Sequence, residues 1–237
     1  MRFYPGSRKV VLGLEQKYYR WFILGLEKGT VGAVENSFSQ QEREQGARGR
    51  TISDAPHHIE VISLNEFPGL PEIVEDGETF KDNAVIKATQ ACLFTGQTVL
   101  ADDSGLEVDC LNGLPGIHSA RFAGEEKNDG ANNKKLLEQM AGVSAKKRTA
   151  HFKCAMAVAT TDGLVHSTEG VCPGIILTEP RGTGGFGYDP LFYLPEYGLT
   201  FAELGLETKN KISHRARALQ GVLEIIAEIR ILMSEEE

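Results

Sequence analysis

Asp102 and Asp103 stand side by side in Ala101-Asp102-Asp103-Ser104-Gly105, directly behind the apolar run Thr98 to Ala101. Carboxylate oxygens at the end of a strand can hold Mg2+ and activate a water molecule. Two adjacent acids are, by themselves, more often a solvated turn than a catalytic site. Their weight comes from company. Glu75 precedes a helical stretch carrying Asn83 and Lys87, and a carboxylate, an amide and an ammonium together suit a triphosphate–metal complex. Read alone, Lys87 is a solvated lysine on a helix face.

Two further groups invite chemistry. Gly182-Thr183-Gly184-Gly185-Phe186-Gly187 has the spacing G-x-G-x-x-G of a dinucleotide-binding turn, which admits a dehydrogenase reading. That turn needs a helix directly behind it, whereas Pro190 and Pro195 here bracket an extended aromatic run. A loop presenting Phe186 to stack on a base fits better, the alternative being a glycine-rich surface turn with Phe186 in the core. Lys209 and Ser213-His214-Arg215 lie just before and at the start of the last helical stretch. They supply an ammonium, an imidazole, a guanidinium and free helix-start amides, all donors suited to carbonyl or phosphate oxygens. His214 alone reads equally well as a capping histidine and Arg215 as a surface charge. The remaining histidines, including His57 and His58, have no metal-ligand spacing.

Positioning these groups requires elements, and the pattern predicts them from Ile59 onward. Ile59 to Leu64 reads as a strand, followed by a Pro-, Gly- and acid-rich connection from Asn65 to Asp76. Thr79 with Asp82 is a capping-box signal, and Phe80, Ala84, Ala88 and Ala91 repeat at helical spacing. Thr98 to Ala101 reads as a strand ending at the two acids, after which Leu106, Val108 and Cys110 alternate with Glu107 and Asp109. Two strands are thus expected to meet at a carboxylate-bearing turn. Asn132 to Met140 reads as a short helix, and Phe152, Cys154, Met156 and Val158 as a half-buried strand. Thr161-Asp162-Gly163 turns into a strand from Leu164 to Val171. Ser213 is a candidate N-cap for a closing helix with Leu219, Val222, Ile226, Ile229 and Leu232 as its apolar stripe. Strands and helices intermix, so the fold class is α/β. Ahead of Ile59, Arg8 to Leu12 resembles a first strand, and Gly25 to His58 carries little periodicity. The expected organisation is an N-terminal segment, 1–58, with a strand near 8–13, and a catalytic domain, 59–233.

Composition narrows the function classes. With 41% hydrophobic and 24% charged residues, the chain has the make-up of a globular protein with one substantial core. A net charge of −8 opposes nucleic-acid binding, which needs a basic surface to displace counterions. Cys92, Cys110, Cys154 and Cys172 form no C-x-x-C pair and read as reduced core thiols of a cytoplasmic protein. The apolar run Trp21 to Leu26 is far below the ~18 residues a membrane span needs, so neither signal peptide nor anchor is expected.

Taken in order, Phe80-Lys81-Asp82-Asn83-Ala84-Val85-Ile86-Lys87-Ala88, Ala101 to Leu106, Pro115-Gly116-Ile117-His118-Ser119-Ala120-Arg121-Phe122, Gly185-Phe186-Gly187-Tyr188-Asp189-Pro190 and Ser213-His214-Arg215 form an ordered set. It closely resembles the family of pyrophosphatases that act on non-standard purine nucleoside triphosphates, also called the inosine triphosphatase or Ham1-like family. The resemblance implies a two-lobed α/β fold around a long mixed sheet flanked by helices, a homodimer, Mg2+ dependence, and hydrolysis of ITP, dITP or XTP to monophosphate and pyrophosphate. It also implies roles. Asp103 resembles the metal ligand and proton acceptor for the attacking water, with Glu75 as second metal ligand and Asp102 in support. Lys87 resembles a phosphate contact and Ser104 a substrate contact beside the phosphates. Phe186, Gly187, Tyr188 and Asp189 resemble the base-stacking segment, and Lys209, His214 and Arg215 the group that reads the purine. A 6-keto purine presents an acceptor where adenine presents an amino donor, so a pocket lined with donors favours it.

The chain departs from the family pattern at its start. Members follow the first strand with a Thr/Ser-x-Asn-x-x-Lys turn that cradles the triphosphate, whereas here Leu14-Glu15-Gln16-Lys17-Tyr18-Tyr19 follows. Gln16 takes the Asn position and Tyr19 the Lys position. A nucleotide-binding protein with weak or no turnover is therefore the alternative.

Overall fold

The computed structural model describes residues 8–13, 50–51 and 59–234. The Leu14-to-Tyr19 stretch, the Trp21-to-Leu26 run and all of Gly25 to His58 except Arg50–Thr51 lie outside the described residues. In chain order the elements are β1 (Arg8–Gly13), β2 (Arg50–Thr51), β3 (Ile59–Ser63), α1 (Phe80–Thr95), β4 (Thr98–Val108), α2 (Asp129–Gln139), β5 (Thr149–Ala159), β6 (Val165–Ile176), β7 (Phe192–Leu194), β8 (Leu199–Thr200), α3 (Leu206–Ile212) and α4 (His214–Ser234). The chain divides into two compact units. The first comprises Met1–Asp102, Ala155–Thr168 and Ala218–Glu237, the second Asp103–Cys154 and Glu169–Arg217.

In the first unit β1 lies between β3 and β4, parallel to both, and β2 adds to β3 antiparallel. α1 starts where the sequence predicts. Thr79 Oγ1 accepts from Asp82 N–H at 3.1 Å and Asp82 Oδ2 accepts from Thr79 N–H at 3.0 Å, a reciprocal capping box. Gly96, at φ 63°, ends the helix in the left-handed conformation. Its buried face is Phe80, Ala84, Ala88 and Ala91, as the periodicity predicts. On α4, Leu219 and Val222 are buried, and Thr168 Oγ1 donates to Ala218 O at 2.8 Å. A Cβ on Gly221 would lie 2.8 Å from Thr168 Cγ2, so glycine there permits the helix to approach β6.

The second unit is built around aromatic packing. Phe152 lies 4.5 Å from Phe192 and 5.6 Å from Phe201, centroid to centroid, within a cluster that includes Leu106, Val108, Leu136 and Met140. β6, β7 and β8 pair antiparallel in sequence. Arg148, buried, satisfies its guanidinium with the carbonyls of Ile176, Met140 and Leu177 at 2.7, 3.0 and 2.8 Å.

Three expectations need correction, and one helix was not foreseen. β4 does not stop at Asp102 but runs unbroken from Thr98 to Val108, so no turn separates two strands. Because successive strand residues point to opposite faces, Asp102 and Asp103 project oppositely. Asp102 is buried and Asp103 half-buried. The helix expected from Asn132 begins at Asp129, since Asn128 caps it by accepting from Ala131 N–H at 3.0 Å. α3, which holds Lys209, has no counterpart in the sequence reading; Gly205 at its start offers no side-chain cap. Cys110 sits exposed in a 3-10 turn, whereas Cys92, Cys154 and Cys172 are buried, and all four are free thiols. Among the described residues, no helix is long and apolar enough to cross a membrane.

Thr79→Ala removes one half of the capping box at the start of α1. Equilibrium denaturation should register a loss of about 1 kcal/mol; an unchanged midpoint would show that the cap contributes nothing.

Candidate functional site

In the first unit, Lys87 Nζ lies 3.0 Å from Glu75 Oε2, an ion pair with side chains 18% and 37% exposed. The carboxylate expected to bind metal and the ammonium expected to bind phosphate are thus direct neighbours. Asn83 stands one turn before Lys87 on α1. It is buried, and its Oδ1 accepts from Gly77 N–H at 2.9 Å. A Cβ on Gly77 would lie 2.8 Å from that oxygen, so the loop behind Glu75 requires glycine there.

In the second unit, Asp189 organises the glycine-rich loop. It is 2% exposed, its Oδ2 accepts from Phe186 N–H at 2.9 Å, and the same oxygen is paired with Lys209 Nζ. Gly185, at φ 73°, has Asp189 Oδ2 1.9 Å from where a Cβ would stand, which excludes any side chain. Lys209 Nζ lies 4.9 Å from the Phe186 ring centroid and 5.0 Å from that of Phe201. The Arg215 guanidinium lies 5.7 Å from the Phe186 centroid and donates to Ser104 Oγ. Phe186 is half-buried, so it is not a core residue, and turns rather than a helix follow the loop. The helix that a dinucleotide-binding turn requires is therefore missing from its place.

His214 is buried and stacks on Phe152, with centroids 4.8 Å apart and planes at 11°. Its Nε2 lies 3.0 Å from Arg215 Nη1. A guanidinium only donates, so Nε2 is the acceptor and the ring proton is assigned to Nδ1. Nδ1 is buried without a hydrogen-bond partner among the described residues. Burial first, then the charges of Arg215 and Lys209, push the imidazole pKa well below 6.5. The result is a neutral ring carrying one buried N–H donor at neutral pH.

Ser119 explains why the Pro115-to-Phe122 motif accompanies β4. Its Oγ accepts from Leu106 N–H at 2.9 Å and donates to Gly116 O at 2.6 Å, while its carbonyl accepts from Tyr188 Oη at 2.9 Å. Gly105 leaves the room this needs, since a Cβ there would lie 2.3 Å from Ser119 Oγ. Burial raises the Tyr188 phenol well above its usual range, so it stays a donor. Gly187 is gripped by Asp129 and Asn133 of α2, two residues the sequence reading did not single out. A local signal existed, because D-x-x-x-N places both side chains on one helix face.

Among the described residues, no group of three or more His, Cys, Asp or Glu side chains is arranged to hold a metal ion. Mg2+ needs no such cage. It commonly binds through one or two carboxylates, with substrate phosphates and water completing an all-oxygen shell. Glu75, Asp102 and Asp103 are oxygen donors of the required kind.

The profile of the Ham1 family matches residues 43–225. The chain belongs to the Ham1 family. It is 57% identical over 176 residues to the dITP/XTP pyrophosphatase of Desulforamulus reducens, covering 74% of this chain and 88% of that protein. Identity to the dITP/XTP pyrophosphatase of Geobacillus kaustophilus is 54% over 165 residues, covering 70% and 81%. A Ham1 protein structure from Coxiella burnetii superposes with TM-score 0.75 at 34% identity, covering 94% of this chain and all of that one. The Ham1 protein structure of Staphylococcus aureus gives 0.71 at 31%, covering 97% and 100%. These superpositions bear out the α/β fold with a mixed sheet flanked by helices that the resemblance implies.

Two outcomes test this geometry. Lys209→Met would leave the Asp189 carboxylate buried without its counter-charge, and denaturant unfolding should show a loss of about 3–5 kcal/mol. The folded state of this Ham1 protein holds His214 neutral, whereas the unfolded chain protonates a histidine near pH 6.5. Unfolding therefore takes up a proton below that pH. Stability should be full above about 6.5 and decline as the pH falls toward the depressed folded pKa, by at most ~1.4 kcal/mol per pH unit. His214→Phe should flatten this part of the stability profile between pH 7 and 5; equal slopes in both proteins would contradict the assignment.

Proposed function

We propose that this chain hydrolyses non-standard purine nucleoside triphosphates, ITP, dITP and XTP, to the monophosphate and pyrophosphate, and so cleans the nucleotide pool. The observation that carries the reading is the donor cluster around Phe186. A half-buried ring is flanked by the Lys209 ammonium and the Arg215 guanidinium, and the neutral, buried ring of His214 meets Arg215 through Nε2 and keeps its proton on Nδ1. An aromatic face suits stacking on a base, and three donors suit the 6-keto oxygen of hypoxanthine or xanthine while offering nothing to the adenine amino group. The names of the relatives, dITP/XTP pyrophosphatase, agree with it.

Asp103 accepts the proton of the attacking water and ligates a divalent metal, which we take to be Mg2+. Glu75 is the second metal ligand and Asp102 supports it. The ion, when bound, polarises the phosphate oxygens and lowers the pKa of water. Lys87 meets phosphate, in exchange for or alongside its pairing with Glu75. Ser104, held by Arg215, contacts substrate beside the phosphates, and Phe186 to Asp189 receive the base. Water cleaves the anhydride linkage between the α- and β-phosphates, its elements divided between the monophosphate and the pyrophosphate, which leaves intact. The catalytic domain spans 59–233, with β1 ahead of it, and the protein works as a cytoplasmic homodimer that binds neither nucleic acid nor membrane.

Asp103→Asn cannot accept a proton and ligates Mg2+ less well. Pyrophosphate release from ITP should fall by about 10²–10⁴-fold with the circular dichroism spectrum unchanged. Near-wild-type turnover would refute the role of Asp103. Tight ITP binding by the wild-type chain with no pyrophosphate release would instead establish the nucleotide-binding alternative.

A further inference from the structure

Phe186 is half-buried, with Lys209 and Arg215 against its ring, and the direction of that ring also depends on how the backbone on either side is held. Asp189 holds one side from within the loop. Phe186 N–H donates to Asp189 Oδ2 at 2.9 Å and Phe186 C=O accepts from Asp189 N–H at 3.2 Å. α2 holds the other side from outside. Gly187 N–H donates to Asp129 Oδ2 at 2.6 Å, and Gly187 C=O accepts from Asn133 Nδ2 at 2.8 Å.

Every peptide group from Phe186 N–H to Gly187 C=O is thereby engaged. Gly187 stands at φ 59°, a backbone conformation open to glycine and rarely to other residues. The orientation of the Asn133 amide is also forced. Nδ2 faces two carbonyl oxygens, that of Gly187 and that of Asp129 at 2.9 Å, so the nitrogen must be on that side. Oδ1 consequently remains buried with no hydrogen-bond partner among the described residues. An unpaired buried acceptor is costly, and a fold that retains one is gripping Gly187 at some expense of stability. Asp129, by contrast, is exposed and at the first turn of α2, where a carboxylate is favourable and needs no loop contact to be stable.

We propose that Asp129 and Asn133 are positioning residues for base binding: by clamping both polar groups of Gly187 they aim Phe186 at the purine beside Lys209 and Arg215, without touching substrate themselves. This rests on the purine triphosphate reading above. The clamp fixes a binding surface and not the reacting phosphates, so it acts on KM more than on kcat.

Steady-state pyrophosphate release from ITP tests it in Asp129→Ala, Asn133→Ala and Asp129→Asn, with amide hydrogen exchange followed at Gly187. Removing one hydrogen bond of the clamp should raise KM roughly tenfold, with kcat moving less than about threefold. Asp129→Asn retains an acceptor oxygen toward Gly187 N–H and should restore KM to near the wild-type value. Exchange of the Gly187 amide should accelerate in Asp129→Ala and recover in Asp129→Asn. Unchanged KM in both alanine variants, a fall in kcat at constant KM, or a Gly187 amide as protected in Asp129→Ala as in the wild type would overturn the proposal. If the wild-type chain releases no pyrophosphate, the proposed function fails, and the exchange result alone decides whether the clamp exists. Should Asn133→Ala not fold, the two Asp129 variants carry the test.

Discussion

Asp189 keeps a charged carboxylate at 2% exposure, and one of its oxygens serves both Lys209 Nζ and Phe186 N–H. A buried charge is tolerated only when paired and hydrogen-bonded, so this oxygen dictates where its partners stand. Gly185 can have no side chain because the oxygen occupies the space. Lys209 must reach inward, which places its ammonium near the rings of Phe186 and Phe201. The loop, the aromatic face and one of the donors beside it therefore follow from a single carboxylate.

A second constraint is electrostatic. The chain as a whole carries a net charge of −8, yet Lys209 and Arg215 concentrate positive charge around one aromatic ring. Burial first, and then the two cations beside it, keep the imidazole neutral, and the guanidinium, having only donors, selects its tautomer. His214 thus becomes a donor because of its neighbours.

Much of the fold was legible because its signals are local. The capping box at Thr79, the strand through Phe152 to Val158, whose half from Ala155 is buried on both faces where alternation was expected, and the Pro-bracketed end of the glycine loop each involve residues within a few positions of one another. β4 was misread for the same reason. Two aspartates and a glycine in mid-strand look like a turn when judged by local preference, and their tolerance depends on neighbouring strands and on Ser119 packing against Gly105. α3 is short and begins at Gly205 without a side-chain cap, so nothing local announced it.

The sequence by itself determined the chemical inventory and its order: the acids of β4, the lysine on α1, the aromatic glycine loop, and the Lys209, His214 and Arg215 donors. It determined the family as well, since those motifs are specific in succession. Only the tertiary structure decided which atoms meet. Asp129 and Asn133 reach Gly187 from 58 and 54 residues away, and Arg215 reaches Ser104 across 111. Such contacts leave no periodic trace, because hydrogen bonds between distant segments depend on how strands and helices stack and not on spacing along the chain. The protonation state of His214 is likewise a tertiary property, set by burial and by cations brought beside it in space.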